Sequence, residues 1–585
     1  MTARAGLGAG LLSFLFASAL AAAEPAPESF TFKLVFAAQV PTRDGTHLGA
    51  NLYLPERGGA PSPTLLSMTP YGIDHFHREA ATLARRGFAV ALVDVRGRGN
   101  SEGEFEPWVN DGRDGHDVVE WLARQPWSTG KVGMFGHSYG GRAVWSTLKE
   151  RPPHLAAAVP IAPSLSMQGW KNIQTPDTLQ WILLTAGNTS NSRLAADSAF
   201  WVEKYRELYL GMRPLAEMDA IVGTPSPVFQ RFLAHPTLDA YWNSVTPTAA
   251  DFARVEVPVL SVVGQYDATN IVLWYYRQHL AAAGAAARHR LLIGPWDHPG
   301  SMRPDREAGG LDFGEASRID MMGVLADWFG AQLTGRPLPP FLSEPVRYYV
   351  LGPNEWRSAR TLDDIHAPPR TLHLGSDGQA GSLARPGTLA GTRAGAAASD
   401  RWTFDPRDLR PGKAEVSEPE DWLTRLDLPD DLWGSGLAYA TAPLPAPAML
   451  TGQPRLSVWL AIDTPDADFS ARLDVVTPDG GVIFLGEDWL RARYRSSLER
   501  EEKVPPGVPL EHTFDFPWLA RELPAGSRLR LVLQSMNSIF RPKNYNAGGD
   551  VARESGADAR TVQVTLWHDA DHPSHLEIGL SSPAQ

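Results

Sequence analysis

The sequence predicts an α/β domain that carries a helical insertion and is followed by an all-β domain. From residue 64 to residue 162, apolar runs of strand length alternate with helical stretches, which is typical of a parallel sheet covered by helices. This alternation stops between about residues 164 and 251, where the chain is rich in Trp, Leu and Tyr. Beyond about residue 345, short apolar runs separated by Pro, Gly and Asp turns indicate a β-sandwich or jelly roll.

The first domain is predicted at residues 24–340, where the strands are short apolar runs and the helices are apolar on one face. The strands are a pair within Phe30–Leu54, then Thr64–Met68, Phe88–Asp94, Val132–Phe135, Ala156–Ala162, Val257–Val263 and His289–Ile293. The helices are His77–Arg86, Asp114–Gln125, Arg142–Leu148, Ile271–Ala283 and Ser317–Leu333. The insertion at about residues 164–251 follows the end of a strand, so we expect a helical cap over the mouth of an active site.

The second domain is predicted at residues 341–585 and consists of short strands without regular helices. The runs that predict these strands are Val346–Leu351, Thr371–Leu374, Leu456–Leu460, Ala471–Val476, Val482–Leu485, Arg528–Leu533 and Val562–Trp567. Residues 375–400 are rich in Gly and Ala and are predicted to form a loop. We expect this jelly roll to pack against the first domain and to complete its cleft.

The composition limits the classes of function. With 585 residues, 43% hydrophobic and 21% charged, the chain is long enough for two or three folded domains. A net charge of −12 without a basic run argues against broad nucleic-acid binding. The absence of cysteine excludes disulfides, cysteine metal sites and a thiol nucleophile.

The first 23 residues have the pattern of a secretory signal peptide. Arg4 supplies a positive charge, Leu11–Leu20 is an apolar core, and small residues at 21–23 precede Glu24. The core is short for a membrane span, although a retained anchor is the alternative, and no later stretch is long and apolar enough to span a bilayer. We therefore expect an exported protein, periplasmic or extracellular, with no membrane span in the mature chain.

A G-x-S-x-G motif at residues 136–140 lies between a predicted strand and a predicted helix. In this context the motif predicts a nucleophile elbow, a strained turn that exposes the Ser138 hydroxyl at the end of the sheet. The same turn directs the backbone N–H of Tyr139 toward the position of an oxyanion. A glycine-rich turn without catalytic function is the alternative. We expect His137 to point away from the pocket.

A serine hydroxyl needs a base to accept its proton, and the base is usually a histidine oriented by a carboxylate. Asp267 follows the predicted strand Val257–Val263, and His298 follows His289–Ile293. Each lies just beyond the carboxyl end of its strand, where functional residues of parallel sheets collect. Asp297 is the alternative acid, but neighbouring loop residues seldom face each other. The sequence therefore predicts Ser138, Asp267 and His298 as a catalytic triad.

The oxyanion hole needs a second donor from the loop after an early strand. Tyr71 lies in such a loop, and its phenol is either this donor or a packed aromatic at the strand end. Asp94 and Arg96 follow another strand, and we expect them to brace their loop rather than contact a substrate.

Two further groups of polar residues resemble metal ligands. His75 and His77 have no evident third ligand, so no metal site is predicted there. The acidic stretch Asp463–Asp468 lacks the ligand spacing of a calcium loop and is predicted to be a solvated turn. The predicted chemistry accordingly needs no cofactor and no metal.

Several motifs together resemble the cocaine esterase/NonD (CocE/NonD) family of serine hydrolases, which is related to α-amino-acid ester hydrolases and S15-type X-Pro dipeptidyl-peptidases. In the first half these motifs are TPYG at 69–72, DVRGRGNSEGEF at 94–105, QPWSTGKVGMFGHSYGG at 125–141, GQYD at 264–267 and GPWDHPG at 294–300. In the second half they are LPAPAMLTGQPRLSVWL at 444–460, DADFSARLDVVTPDG at 466–480 and RARYRSS at 491–497. The resemblance implies an α/β-hydrolase domain with a helical cap, a C-terminal jelly roll, the triad Ser138, Asp267 and His298, and an oxyanion hole of Tyr71 and Tyr139.

The chain departs from α-amino-acid ester hydrolases directly after Asp267. Those enzymes place acidic residues there to hold a substrate ammonium, whereas this chain has Ala268, Thr269 and Asn270. We therefore expect a serine hydrolase that cleaves small esters or amides through an acyl-enzyme. An X-Pro dipeptidyl-peptidase is the alternative, and a non-catalytic protein whose β domain binds a sugar or a partner is a third reading. The sequence predicts no particular oligomeric state.

Overall fold

The structure is a computed structural model that describes residues 29–164, 171–267, 269–284, 287–365, 367–393, 395, 397–416 and 420–581. The predicted signal peptide, residues 1–23, lies outside these described residues. Among the helices of the described ranges, none combines the length and the apolar character that crossing a bilayer requires.

Ten strands form the first sheet, and a short hairpin lies apart from it. In chain order the strands are β1 (Phe32–Pro41), β2 (His47–Pro55), β3 (Ser62–Thr69), β4 (Ala89–Asp94), β5 (Ser128–His137), β6 (Leu155–Ile161), β7 (Val259–Gly264), β8 (His289–Gly294), the hairpin pair β9 (Glu307–Ala308) and β10 (Leu311–Asp312), then β11 (Val346–Val350) and β12 (Glu355–Ala359). The sheet order is β1-β2-β4-β3-β5-β6-β7-β8-β11-β12. Strands β3 to β8 and β11 are parallel to one another, whereas β1, β2 and β12 are antiparallel to their neighbours.

Helices cover both faces of this sheet, which is why its central strands are apolar throughout. The flanking helices are α1 (His77–Arg85), α2 (Asp111–Ala123), α3 (Tyr139–Glu150), and, later in the chain, α11 (Thr269–Ala283), α12 (His298–Met302) and α13 (Met321–Thr334). Every residue of β3 and β4 is buried. Leu66 and Val93 belong to a core with α2 and α3, while Leu65 and Leu92 belong to a second core with α1 and α13 on the opposite face.

A helical insertion separates β6 from β7. Its helices are α4 (Asp177–Leu184), α5 (Ser192–Ala196), α6 (Ser198–Leu210), α7 (Met218–Val222), α8 (Pro227–Leu233), α9 (Ala240–Ser244) and α10 (Ala249–Phe252). Its aromatic residues Phe232 and Trp242 pack on Trp108, which precedes α2, with ring centroids 5.5 and 6.3 Å from the Trp108 ring. The predicted helical cap therefore shares one apolar core with the α2–α3 layer.

The remaining strands form a second, mostly antiparallel sheet system. They are β13 (Pro369–Gly375), β14 (Gly387–Ala390), β15 (Ser399–Phe404), β16 (Gly436–Ala440), β17 (Ala448–Gly452), β18 (Arg455–Ile462), β19 (Asp468–Val476), β20 (Val482–Arg491), β21 (Leu510–Asp515), β22 (Leu519–Leu523), β23 (Arg528–Ser535), β24 (Val562–Trp567) and β25 (His575–Ser581), with one short helix, α14 (Arg410–Ala414). They enclose a separate apolar core. The predicted fold class, an α/β-hydrolase domain with a helical insertion and a C-terminal all-β domain, is confirmed.

Two details of the prediction are wrong. The run Val346–Leu351 was assigned to the jelly roll, but β11 pairs in parallel with β8, with Val346 opposite Leu291. An apolar run does not indicate which sheet it joins, because both sheets bury their strands equally well. Residues 375–400, predicted as a loop, contain β14 and the start of β15. These strands were missed because strands rich in glycine have a weak sequence signal.

Candidate active site

Ser138 occupies the sharp turn between β5 and α3. Its backbone has φ 58° and ψ −117°, a strained conformation for a residue with a side chain. The surrounding glycines allow this turn. A Cβ added to Gly136 would lie 2.4 Å from the Gly140 backbone, and one added to Gly141 would lie 2.7 Å from the Ile161 carbonyl oxygen. The strand–turn–helix context that predicted a nucleophile elbow is therefore present.

Asp267 and His298 meet at the carboxyl ends of β7 and β8. His298 Nδ1 is 2.9 Å from Asp267 Oδ1, and Ser301 Oγ donates to Asp267 Oδ2 at 3.1 Å. The Asp267 side chain is 5% exposed, whereas the His298 side chain is 45% exposed. Burial alone would lower the pKa of His298, but the hydrogen bond with Asp267 and the charge of that carboxylate outweigh it, so the pKa of His298 is raised.

The two loops that carry this pair are bonded to each other. The Gln265 N–H donates to the Gly294 carbonyl oxygen at 2.8 Å, and the Tyr266 N–H donates to the Trp296 carbonyl oxygen at 3.0 Å. A Cβ on Gly264 would lie 2.0 Å from that same Trp296 oxygen, so the close approach requires glycine. The alternative acid, Asp297, instead caps α12 by accepting the Gly300 N–H at 2.9 Å.

Tyr71 lies beside Ser138, as its predicted role as an oxyanion donor requires. Its phenol interacts with the Ser138 side chain and with the backbone N–H of Tyr139. Trp181 of α4 also donates its Nε1–H to the Tyr71 hydroxyl oxygen, at 3.2 Å. Burial raises the pKa of Tyr71, so the phenol keeps its proton. Because Trp181 and Tyr139 donate to the oxygen, the phenolic hydrogen is available to a group at Ser138.

His137 was predicted to point away from the pocket, and this prediction is wrong. Its Nε2 lies 2.9 Å from the carbonyl oxygen of His298, and the two imidazole rings are 4.6 Å apart. A carbonyl oxygen only accepts, so Nε2 carries the hydrogen. Burial, followed by the nearby charge of His298, lowers the pKa of His137 to about 4. Sequence reasoning placed the side chain from the elbow alone and did not consider the neighbouring β8–α12 loop.

The residues predicted as braces do brace their loop. The Asp94 carboxylate accepts the Ile73 N–H at 3.1 Å, and burial raises the pKa of Asp94 to about 6. Arg96 bonds to Asp44 at 2.9 Å and to Asp114 at 2.6 Å.

His77 is bonded to the Tyr53 hydroxyl at 2.9 Å, whereas His75 lines the cavity beside Tyr71. Within the described ranges, no cluster of three His, Asp or Glu side chains is placed to hold a metal ion.

The acidic stretch at 463–468 was predicted to be a solvated turn, and this is wrong for two of its carboxylates. Asp466 and Asp468 are 0% and 3% exposed. Asp466 pairs with Arg493 and Asp468 pairs with Arg491, both at 2.8 Å. Asn544 donates to both carboxylates at 2.8 Å. The sequence signal for this ion-pair network was the two arginines at 491 and 493 in RARYRSS. They are too distant in the chain from the acidic stretch at 463–468 for local spacing to indicate that they pair with it.

A cavity of about 380 Å³ adjoins the candidate site, with Tyr71, His137 and Pro299 among its lining residues. A larger cavity of about 660 Å³ lies between the insertion and the all-β domain, with Gln174 and Arg493 in its walls. None of the five predicted site residues lines this larger cavity. The smaller cavity, which Tyr71 lines, is therefore the one that adjoins the candidate site.

Comparison with known families agrees with this architecture. Residues 44–300 match the family model described as X-Pro dipeptidyl-peptidase (S15 family). Residues 342–577 match the X-Pro dipeptidyl-peptidase C-terminal non-catalytic domain. The two parts of the chain thus match the two domains of S15-type hydrolases. These matches confirm the resemblance to the CocE/NonD family that the motifs indicated.

Similar proteins include a cocaine esterase from Rhodococcus sp. (strain MB1 Bresler), which is 29% identical over 575 residues, or 92% of this chain and 97% of the esterase. Two solved structures share the fold. An α-amino acid ester hydrolase has a TM-score of 0.81 at 20% identity and covers 97% of this chain and 100% of its own. A CocE/NonD family hydrolase from Staphylococcus aureus has a TM-score of 0.66 at 17% identity, with 94% of both chains covered.

Proposed function

We propose that this S15 hydrolase cleaves small esters through a triad of Ser138, His298 and Asp267. The observation that carries the proposal is the Asp267–His298 hydrogen bond of 2.9 Å, beside a serine in an elbow turn whose hydroxyl contacts Tyr71. Ser138, Asp267 and His298 follow the carboxyl ends of the parallel strands β5, β7 and β8, which supports a triad at one edge of the sheet of the kind that acyl transfer requires.

In the first half-reaction, Ser138 Oγ attacks the substrate carbonyl carbon while its proton passes to His298 Nε2. The tetrahedral intermediate collapses, the bond to the leaving group breaks, and His298 gives that proton to the departing oxygen or nitrogen. In the second half-reaction, a water attacks the acyl-enzyme in the same way, which releases the acid and restores Ser138. Asp267 fixes the imidazole tautomer and stabilises the imidazolium that forms in each half.

The oxyanion of each intermediate is held by the Tyr71 hydroxyl and the Tyr139 N–H in this proposal. The Tyr71 phenol contacts the Ser138 side chain and accepts the N–H of Tyr139, the next residue, and the raised pKa of Tyr71 keeps its phenol a donor at neutral pH. Trp181 donates to the phenol oxygen rather than accepting from it, so it leaves the phenolic hydrogen for the oxyanion. Hydrogen-bond donors that are already fixed in position stabilise the oxyanion more than mobile donors do, because they need not reorganise in the transition state.

The S15 match favours X-Pro dipeptidyl-peptidase activity as a second candidate. Release of a dipeptide requires recognition of a free α-ammonium, usually by a carboxylate. Next to Asp267, Thr269 donates its hydroxyl to the Gly264 carbonyl oxygen at 2.8 Å, and Asn270 donates to the Asp515 carbonyl oxygen at 3.0 Å. Ala268 lies outside the described residues. These neutral neighbours support an esterase over a dipeptidyl-peptidase.

The test is Ser138→Ala assayed with a 4-nitrophenyl ester and with an X-Pro 4-nitroanilide. We expect the wild type to hydrolyse the ester and the variant to lose this activity while its melting temperature is unchanged. A fluorophosphonate should label the wild type and not the variant. Ester hydrolysis near the wild-type rate in Ser138→Ala would refute the triad, and faster cleavage of the anilide than of the ester would favour the peptidase. Absence of both activities and of labelling would favour a non-catalytic binding protein.

We also propose that the protein is exported after removal of residues 1–23. The supporting pattern is the charged start, the short apolar core and the small residues before Glu24. Expression of the full chain in a bacterial host, followed by N-terminal sequencing of the periplasmic fraction, should give a chain that starts at Glu24. An intact N-terminus in the cytoplasm would contradict export.

A further inference from the structure

The cavity beside the candidate triad has an unusual charge distribution. Ten residues line it, among them Tyr71, His75, His137, Met302 and Arg303, and none of the ten is Asp or Glu. Arg303 is the lining residue whose side chain is permanently charged. A substrate in this cavity therefore meets a guanidinium, two imidazoles, hydroxyl groups and apolar side chains, but no carboxylate of the lining.

The Arg303 side chain is held in place by an ion pair with a buried carboxylate. Its Nε and Nη2 donate to a single oxygen, Oε1 of Glu79, at 2.8 and 2.7 Å. The Glu79 side chain is 6% exposed, whereas that of Arg303 is 63% exposed. The carboxylate therefore anchors the guanidinium, and the guanidinium covers the carboxylate. Within the described part of the chain, Nη1 of Arg303 makes no hydrogen bond, so it remains available to a ligand.

The chain connects this guanidinium directly to the catalytic machinery. Arg303 is the residue after α12, the helix that begins with His298, and Pro299 and Met302 of the same helix also line the cavity. Tyr71 and His137, which contact Ser138 and His298 respectively, line the same cavity. A substrate whose carbonyl reaches Ser138 can therefore extend past Tyr71 into the cavity that contains Arg303.

We propose that this cavity binds a carboxylate of the substrate through Arg303, so that the preferred substrates are esters or amides that carry a free carboxylate. The inference rests on the proposed triad and adds the substrate class to it. A guanidinium with a free donor edge forms charge-assisted hydrogen bonds with a carboxylate. The lining itself offers no carboxylate that could pair with a substrate ammonium instead. The carboxylate belongs either to the acyl part or to the leaving group.

Two pairs of substrates distinguish these sources. Mono(4-nitrophenyl) adipate and its methyl ester differ in a carboxylate on the acyl part, and 4-acetoxybenzoate and its methyl ester differ in one on the leaving group. For each pair we define the preference ratio as kcat/KM of the carboxylate substrate divided by kcat/KM of the methyl ester. The ratio is measured at low ionic strength for wild type, Arg303→Gln, Arg303→Lys and Arg306→Gln.

Arg306→Gln is the matched control, because Arg306 is a nearby exposed arginine that bonds to Asp312 and does not line the cavity. In one of the two pairs, Arg303→Gln should lower the preference ratio about 10-fold, the value of one hydrogen bond to a charged group. Arg303→Lys should lower it less, and Arg306→Gln should leave it unchanged. The substrate pair whose preference ratio falls shows whether the carboxylate belongs to the acyl part or to the leaving group.

An equal preference ratio in wild type and Arg303→Gln, for both pairs, would overturn the inference, and so would an equal fall in Arg306→Gln. If Arg303→Gln does not fold, inhibition of the wild type decides instead: adipate should compete with the neutral ester far better than adipamide does, and equal inhibition would overturn the inference. Failure of the triad itself is recognised separately, because Ser138→Ala would then retain hydrolysis of the neutral methyl esters.

Discussion

Two Asp–His pairs in this protein are built from the same residue types and have different environments. Asp267 and His298 lie at the edge of the α/β sheet, 2.9 Å apart, with the histidine 45% exposed. Asp400 and His568 lie in the core of the all-β domain, 3.1 Å apart, with exposed fractions of 1% and 2%. A serine accompanies each pair, since Ser376 donates to Asp400 at 2.6 Å. Residue types alone therefore do not distinguish a catalytic group from a structural one.

The direction of the hydrogen bonds makes the difference. Around Asp400, the hydroxyls of Ser376 and Tyr439 and the Nε2 of His568 all converge on one oxygen, Oδ2. The serine is thereby bonded to the acid and not placed as a nucleophile for the histidine. At the candidate active site, by contrast, Asp267 bonds to Nδ1 of His298, and Ser138 lies on a separate elbow turn. A site that must move protons leaves one side of its histidine open to substrate.

Asp267→Asn should produce the largest effect on activity. The amide retains the shape of the side chain but favours the wrong tautomer of His298 and no longer stabilises the imidazolium, so kcat should fall about 10⁴-fold. The measurement is hydrolysis of a 4-nitrophenyl ester together with the melting temperature. The matched control is Asp400→Asn, which should leave kcat of the folded enzyme unchanged. Equal losses of kcat in both variants would break the distinction between the two pairs.

Tyr71→Phe removes one of the two proposed oxyanion donors and retains the ring. Loss of one such donor costs roughly 10²- to 10³-fold in kcat. KM should change little, since the interaction forms only in the transition state. Trp181→Phe is a useful companion, because it removes the N–H that donates to the Tyr71 oxygen. A Tyr71→Phe enzyme with unchanged kcat would assign Tyr71 to packing, the other reading that the sequence left open.

The same comparison predicts a stability effect in the all-β domain. Asp400→Ala leaves the buried partners Ser376, Tyr439 and His568 without their shared acceptor, so the free energy of unfolding should fall by about 3 kcal/mol. Urea unfolding monitored by tryptophan fluorescence measures the change. Asp267→Ala should cost less stability, because its histidine partner remains half exposed to water. A larger loss from Asp267→Ala would reverse the assignment of roles.

Sequence patterns predicted the parts of the site that depend on local geometry. Ser138, Asp267 and His298 each follow a recognisable strand, and parallel strands place such residues at one edge of the sheet. The orientation of His137 and the burial of Asp466 were not predictable in this way. His137 is positioned by the loop after β8. The carboxylate of Asp466 is buried because it forms an ion pair with Arg493, which lies 27 residues further along the chain. Long-range partners of this kind leave no periodic signal.

The two pairs should also differ in their response to pH. His298 must be neutral to accept a proton, and its pKa is raised above 6.5, so kcat/KM should fall as the pH drops through this raised value. Asp267→Asn should move the inflection to lower pH. The pKa of Asp400 is lowered despite its burial by hydrogen bonds from His568, Ser376 and Tyr439, so its stabilising contribution is present above pH 3.8 and is lost as the pH falls through the lowered value.

His137 offers the smallest and most specific test, because it supports His298 without taking part in proton transfer. Its Nε2–H donates to the His298 carbonyl oxygen, so His137→Leu should lower kcat about 10-fold through a displaced imidazole, with little change in KM. His137→Gln places an amide N–H near the same position and should restore most of the rate. Because His137 is neutral above pH 4, neither variant should shift the inflection that belongs to His298. If leucine and glutamine lowered kcat equally, the hydrogen bond would have no part in positioning His298, and the ring contact of 4.6 Å would be the remaining interaction between the two side chains.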